Sequence, residues 1–215
     1  MTAKMNLSEF DFNLPQKLIA TRPVSPRSSA RLLVSNGEEI VDRSVANLLD
    51  YLTPKDRLVL NDTKVIPARI SGMRRRHSAL GCIREARIEV TLLHRQENGD
   101  WIALIKPLRK IALDEAIEFA DGLSAHLLDK QQGQAVLRFD ISDSAFESAL
   151  NRFGMMPLPP YIASKRAADA QDRKDYQSVF ARHLGSVAAP TASLHFDAAL
   201  LAQLSEQKIG MTYIT

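Results

Sequence analysis

RIEVTLLHRQENGDWIALIKP, residues 87–107, decides how the middle of this chain folds. Ile88, Val90 and Leu92 alternate with Glu89 and Thr91, the two-residue period of a strand with one buried face. Asn98-Gly99 suits the left-handed backbone of a tight turn, and WIALIKP (101–107) runs back, so the stretch reads as a hairpin. AIEFADG (116–122), LSAHLLD (123–129) and QAVLRFD (134–140) continue the pattern, with Gly133 at another turn. Short strands at close spacing predict a small sheet or barrel over residues 68–148.

The flanks read differently. RLLVSN (31–36) is a short strand running into the turn pair Asn36-Gly37. SVANLLDYL (44–52) places Val45, Leu48, Leu49 and Leu52 on one helical face, with Ser44 as N-cap and Pro54 as stop. RLVLND (57–62) reads as a buried strand ending in polar residues. After the strand-rich block, Ser144 and Glu147 form a capping-box pattern for a helix that carries Phe146, Ala149, Leu150 and Phe153 on one face and ends at Gly154. MPLPPYI (156–162) is expected not to be helical, because three prolines in four positions fix φ and remove donors. Residues 168–185 are polar, then weakly periodic through Tyr176, Val179 and Phe180. FDAALLAQLSEQKIG (196–210) reads as a helix capped by Asp197 and stopped by Gly210, and MTYIT (211–215) opens a strand.

Bulk numbers narrow the class. The 215 residues suffice for one large domain or two modest ones, and 45% apolar with 25% charged residues is ordinary for a globular protein. One cysteine, Cys82, excludes an internal disulfide framework and a cysteine-based zinc site, and it fits a reducing compartment. No run approaches the roughly 20 apolar residues of a membrane span, and MTAKMNLSEFDF has no signal-peptide core. A cytoplasmic protein without a membrane partner is expected. Net charge is +3, unevenly spread. Residues 67–110 carry ten Lys and Arg against four acids, and residues 111–150 carry eight acids against two bases. Either a basic face meets a polyanion, or both stretches are solvated surface.

The phosphate loop GxxxxGK[ST], the dinucleotide GxGxxG and the zinc motif HExxH are missing. His77, His94, His126, His183 and His195 show no ligand spacing, so no metal is expected. LNDTKVIPAR (60–69) puts Asn61 and Asp62 at a strand's carboxyl end, where open α/β sheets bind ligands. Asp62 there is suited to accept from ribose hydroxyls or remove a proton; an Asx-turn is the alternative. MPLPPYI either returns the chain rigidly or presents Tyr161 to a nucleobase. GSVAAPTASLHF (185–196) is thin enough for a ligand to approach its backbone, with Ser186 and Thr191 as hydrogen-bonding groups. Its His195 precedes an Asp-capped helix, a position that favours an anion and a neutral imidazole. Tight packing between helix and sheet is the alternative.

In order along the chain, FDFNLPQKLIATRP (10–23), RSSARLLV (27–34), VLNDTKVIPARISG (59–72), MPLPPYI, DYQSVFA (175–181) and GSVAAPTASLHF resemble the S-adenosylmethionine:tRNA ribosyltransferase-isomerases of queuosine biosynthesis. The resemblance runs from about residue 9 to the last residue. It departs at Ser193, where the family has glycine, and at Ser28–Ala30, where an acidic residue is usual. Family members are also considerably longer, so an N-terminal portion is expected. The resemblance implies a multi-domain α/β plus β fold: a discontinuous α/β domain (1–67 and 149–215), incomplete at its C-terminus, with an inserted small β-barrel domain (68–148).

The reaction it implies moves and isomerises the ribosyl group of S-adenosylmethionine onto the aminomethyl-deazaguanine wobble base of a tRNA. Epoxyqueuosine forms, and adenine and methionine leave. No prosthetic group is implied, and the full-length enzyme is expected to be a monomer. A sulfonium acidifies the adjacent ribose carbon, so one general base can start the sequence. Asp62 or His195 is expected in that role. Ser186, Ala188, Ala189 and Thr191 are expected around S-adenosylmethionine. Asn61, Arg69, Tyr161, Tyr176 and Gln177 are expected on the substrate side, and Arg74, Arg75 and Arg76 on tRNA phosphates. The rivals are a tRNA-binding fragment without turnover and a fragment that dimerises through an unfinished sheet edge. A methyltransferase lacks support, because no glycine-rich loop follows a first strand.

Overall fold

The structure, a computed structural model, describes residues 5–77, 82–141 and 143–215. Short 3-10 turns at Leu7–Phe10, Gln16–Leu18 and Arg27–Ser29 lead into β1 (Arg31–Ser35), which pairs antiparallel with β2 (Ile40–Ser44). Then come β3 (Arg57–Asn61) and β4 (Thr63–Val65). Six antiparallel strands follow: β5 (Arg69–His77), β6 (Ile83–Arg95), β7 (Trp101–Lys106), β8 (Ala116–Glu118), β9 (Ser124–Gln131) and β10 (Gln134–Phe139). They close into a barrel in the order β10-β7-β6-β5-β8-β9.

The alternation read from residues 87–107 is what fills the barrel. Ile88, Val90 and Leu92 point inward with Ile70, Ile117, Leu127 and Leu137, all fully buried. Closure pairs every strand and leaves no open edge. It also demands Gly72: a Cβ there would lie 2.7 Å from the Glu118 carbonyl oxygen. The helix α1 (Asp143–Phe153) lays Phe146, Ala149 and Leu150 on this core, with the Phe146 ring 4.6 Å from that of Phe139 and 5.6 Å from Trp101. Entry and exit of the barrel are tied together, since Arg69 and Met155 exchange backbone hydrogen bonds of 3.1 and 2.8 Å.

The opposite charge blocks of the middle meet across this barrel. Arg76 on β5 takes Glu115 at 2.6 Å, Arg75 takes Glu85 and Glu118, and Arg138 takes Asp100 at 2.9 Å. Much of the sequence's charge asymmetry is thereby cancelled in space.

Past α1 come α2 (Pro160–Ala163), α3 (Asp172–Asp175), β11 (His183–Ser186), a 3-10 helix at Thr191–His195, α4 (Ala198–Glu206) and β12 (Gly210–Ile214). β11 runs parallel to β4 and β12 parallel to β3. Outside the barrel the described strands thus form one antiparallel pair, β1-β2, and two parallel pairs. Leu200 and Leu204 of α4 bury against Val45 and Ile209, and a separate small core joins Val65, Met156, Leu158, Tyr176 and Ala189.

Several local expectations change. Residues 45–51 form a 3-10 helix, still opened by Ser44, whose N–H donates to the Asn47 side chain at 3.1 Å. MPLPPYI is partly helical: Pro160 sits in the first turn of α2, where a missing N–H costs nothing, and Tyr161 follows it. α1 begins at Asp143, so Ser144 lies inside the helix. The strand expected at 116–122 stops at Glu118 and turns through a 3-10 helix at Ala120–Gly122. β3 is buried on one face only, with Leu60 covered and Val59 exposed. Beyond α4 the left-handed residue is Lys208, at φ 59°, and Gly210 already belongs to β12. Among the described residues no helix is long and apolar enough to cross a membrane, and no group of three or more His, Cys, Asp and Glu is placed to hold a metal ion.

Candidate active site

A cleft of about 570 Å³ opens where four separate segments meet. Its walls come from residues 20–31, from the MPLPPYI segment, from α3 with Tyr176, and from the 3-10 helix of the thin ribbon. Tyr161, Tyr176, Thr191 and His195, four of the residues singled out in the sequence, all line it. Leu158, Ile162 and Leu194 add apolar surface.

Each side chain has a local reason for its place. The 3-10 turn sets His195 over the Ala192 carbonyl, with Nδ1 3.2 Å from that oxygen. A carbonyl only accepts, so Nδ1 carries a hydrogen in this contact and Nε2 is the nitrogen left to face a ligand. Thr191 opens the same turn and is exposed. Tyr176 is 8% exposed, and burial pushes its phenol pKa up, against a backbone hydrogen bond from Ala189 that lowers it. Tyr161 is 52% exposed at the mouth. The cleft thus offers aromatic and aliphatic walls for a flat heterocycle, a hydroxyl, and one imidazole.

The wall made by residues 20–31 is fastened by charge. Asp172, 1% exposed, accepts from Arg166 Nη2 at 2.6 Å and Nη1 at 2.8 Å, from Arg22 Nη1 at 2.9 Å, and from the Asp169 N–H at 2.8 Å. Hydrogen bonding to Arg166 leads the effects that hold its carboxyl below the usual range. Arg22 also bonds Asp169 and reaches Asp175 at 3.3 Å. Arg166 returns the tie by donating to the Thr21 carbonyl, and Arg27 donates to the carbonyls of Gln177, Lys174 and Asp175. These guanidiniums frame the cleft and have few donors to spare for a ligand. None was singled out from sequence. Arg22 and Asp172 are 150 residues apart, and nothing local links them.

The remaining expected residues lie elsewhere. Ser186 Oγ donates to the Ala188 carbonyl at 2.6 Å and accepts from the Ala188 N–H at 3.2 Å, closing the ribbon on itself. Ala189 is buried in the small core. The N-terminus of α4 is occupied by Asp197, which accepts from Leu200 and Ser28 N–H groups at 3.0 Å each, so the anion expected beside His195 is the protein's own carboxylate. Asn61 forms the Asx-turn, accepting from Thr63 N–H at 2.9 Å. Asp62 is buried at the end of β3, where it accepts from Thr215 Oγ1 at 2.8 Å and lies 3.7 Å from His183 Nε2; it does not line the cleft. Gln177 clamps the Val65 backbone at both ends, at 3.0 and 2.6 Å. Arg69 pairs with Glu89 at 2.8 Å on the barrel. Arg74, Arg75 and Arg76 lie on β5, braced by Glu115, Glu85 and Glu118.

A family model described as "Queuosine biosynthesis protein" matches residues 7–215. Proteins named S-adenosylmethionine:tRNA ribosyltransferase-isomerase are similar along 98% of this chain: 59% identical in Ruegeria sp. (strain TM1040), 58% in Ruegeria pomeroyi and 46% in Azorhizobium caulinodans. The chain spans about 60% of the length of these relatives. A crystal structure of an S-adenosylmethionine tRNA ribosyltransferase from Thermotoga maritima is 28% identical, with a TM-score of 0.36 over 95% of this chain and 56% of that one.

Proposed function

Because this chain belongs to the queuosine biosynthesis protein family, we propose that it serves the reaction for which its relatives are named, transfer and isomerisation of the ribosyl group of S-adenosylmethionine onto a tRNA base. The observation that carries this is the convergence of Tyr161, Tyr176, Thr191 and His195 in one cleft, although they come from separate parts of the sequence. Tyr161, Leu158 and Ile162 supply surface for a purine or deazapurine ring. Thr191 supplies a hydroxyl for a ribose. His195 Nε2 takes the proton that the neighbouring sulfonium acidifies, and the Ala192 carbonyl holds the ring in the tautomer that permits it. Asp62 keeps β3 and the Thr215 end of the chain together and stays out of the proton transfer.

In this reading the barrel is an insertion between two halves of the α/β part, and it ends with α1, whose apolar face belongs to the barrel core. A protein that acts on tRNA works where tRNA is, in the cytoplasm. The test incubates the chain with S-adenosylmethionine and precursor tRNA and measures free adenine. Adenine is expected from the unmodified chain, and His195→Ala lowers its rate about 10²-fold, the size of a lost general base, with tRNA affinity unchanged. A variant that keeps its rate removes His195 from the role. tRNA binding without adenine release favours the second reading, a tRNA-binding chain without turnover, which its 60% share of the relatives' length makes worth testing.

A further inference from the structure

The barrel carries a second feature that the cleft does not use. The loop after β7 lies against β5 and encloses an open hollow of about 390 Å³, bounded by Arg74, Arg76, Arg109, Lys110, Ile111 and Ala112. Four cations stand there against one carboxylate. Glu115 takes Arg76 through two bonds of 2.6 and 2.7 Å and comes within 3.8 Å of Arg74 Nε. Arg109 and Lys110 are exposed, and among the described residues their side chains have no hydrogen bond and no ion pair.

The loop is held in shape from below. Arg74 and Arg76 donate to the Lys110 carbonyl, Lys130 Nζ donates to the Ile111 carbonyl, and Glu115 accepts from the Ala112 N–H at 2.6 Å. Three cations are thus spent on fixing the backbone that carries two free ones. A rigid platform loses little entropy when a ligand settles on it. Four clustered cations repel one another, and an incoming anion relieves that repulsion. The hollow is shallow and no aromatic ring lines it, so it offers nothing for a base to stack on. What it fits is a phosphodiester backbone, read by charge and position.

We infer that Arg109 and Lys110 hold the phosphate backbone of the RNA substrate at a point remote from the reacting base. The inference rests on the reading above that this substrate is a tRNA. It moves the phosphate contact from Arg74, Arg75 and Arg76, which are occupied by carboxylates and carbonyls, to the two cations whose backbone Arg74 and Arg76 support. Arg74 and Arg76 stand five and seven positions along β5 from Arg69, which pairs with Met155, three residues before the cleft residue Leu158. At roughly 3.3 Å per residue that is close to 20 Å, so a single nucleotide cannot bridge the two places and a folded RNA stem can.

The test measures tRNA affinity as a function of salt for the unmodified chain, for Arg109→Glu with Lys110→Glu, and for Arg43→Glu with Lys55→Glu as a control of equal net charge. Loss of two phosphate contacts weakens binding about tenfold or more near 0.1 M salt and lowers the slope of log K against log salt by about 1.5. The control is expected to change affinity less than about threefold, and the milder Arg109→Gln with Lys110→Gln pair follows the first double variant. Melting curves check that all variants fold. If the hollow variant and the control behave alike, or the hollow variant binds as before, this inference fails while the tRNA reading stands. If the unmodified chain binds no tRNA, both fail.

Discussion

Asp172→Asn tests how the cleft is held. The wild-type carboxylate is 1% exposed and accepts four hydrogen bonds, three of them from guanidinium nitrogens of Arg22 and Arg166. Asparagine keeps the volume, removes the charge and turns an N–H₂ toward one of those guanidiniums. Breaking a fully buried ion pair costs about 3–5 kcal/mol. The Arg22 and Arg166 side chains are 35% and 20% exposed, so water partly compensates them, and a loss of about 2–3 kcal/mol is the reasoned figure. Urea unfolding at pH 7 reads it as a lower midpoint at unchanged slope.

The pH dependence carries a sign. The folded pKa of Asp172 is depressed, chiefly by its hydrogen bonding to Arg166. Its stabilisation is therefore fully present above the unfolded pKa of about 4 and is lost as pH falls through the lower folded value. The gap between wild type and variant should narrow progressively below about pH 4. Limited proteolysis should meanwhile cut the variant sooner within residues 16–31, because Arg22 and Arg166 no longer anchor that segment. A variant within about 0.5 kcal/mol of wild type at pH 7, the range of ordinary surface substitutions, would refute the account of Asp172 as the anchor of this wall.

Gly154→Ala should destabilise by roughly 2–4 kcal/mol in the same urea assay, because the new Cβ would lie 2.3 Å from the Pro67 carbonyl oxygen and 2.5 Å from that of Leu150, and backbone atoms have no rotamer to escape into. Asp197→Ala should cost about 1–2 kcal/mol by uncapping α4 and should free the Ser28 loop, while Asp197→Asn recovers most of it. The Asp197 carboxyl is held low by Ser28 first and Leu200 next, so this contribution too is present above about pH 4 and disappears as pH falls further.

Amino-acid order alone determined the strands and turns of the middle, because alternation and turn residues are local signals: Ile88, Val90 and Leu92 share one face of a strand, and Asn98-Gly99 turns the chain. That these strands close into a barrel and do not stay an open sheet was decided by their pairing in space. Amino-acid order also determined α4 and its Asp197 cap, and it brought Tyr161, Thr191 and His195 forward by residue type, with Tyr176 added by the family resemblance. Only the tertiary structure decided which polar groups face one another. Asp62 looked as suited to proton transfer as His195, yet burial with Thr215 sets it apart from the cleft. Arg74 to Arg76 read as a cluster of cations, and the sequence did not show that β8, closing beside β5, brings Glu115 and Glu118 onto them. Arg22 and Asp172 meet across 150 residues with no periodicity to announce it. Hydrophobic spacing says which face of a strand or helix turns inward. The partner of a charged side chain depends on how those faces are then stacked, and that is settled by packing over the whole molecule.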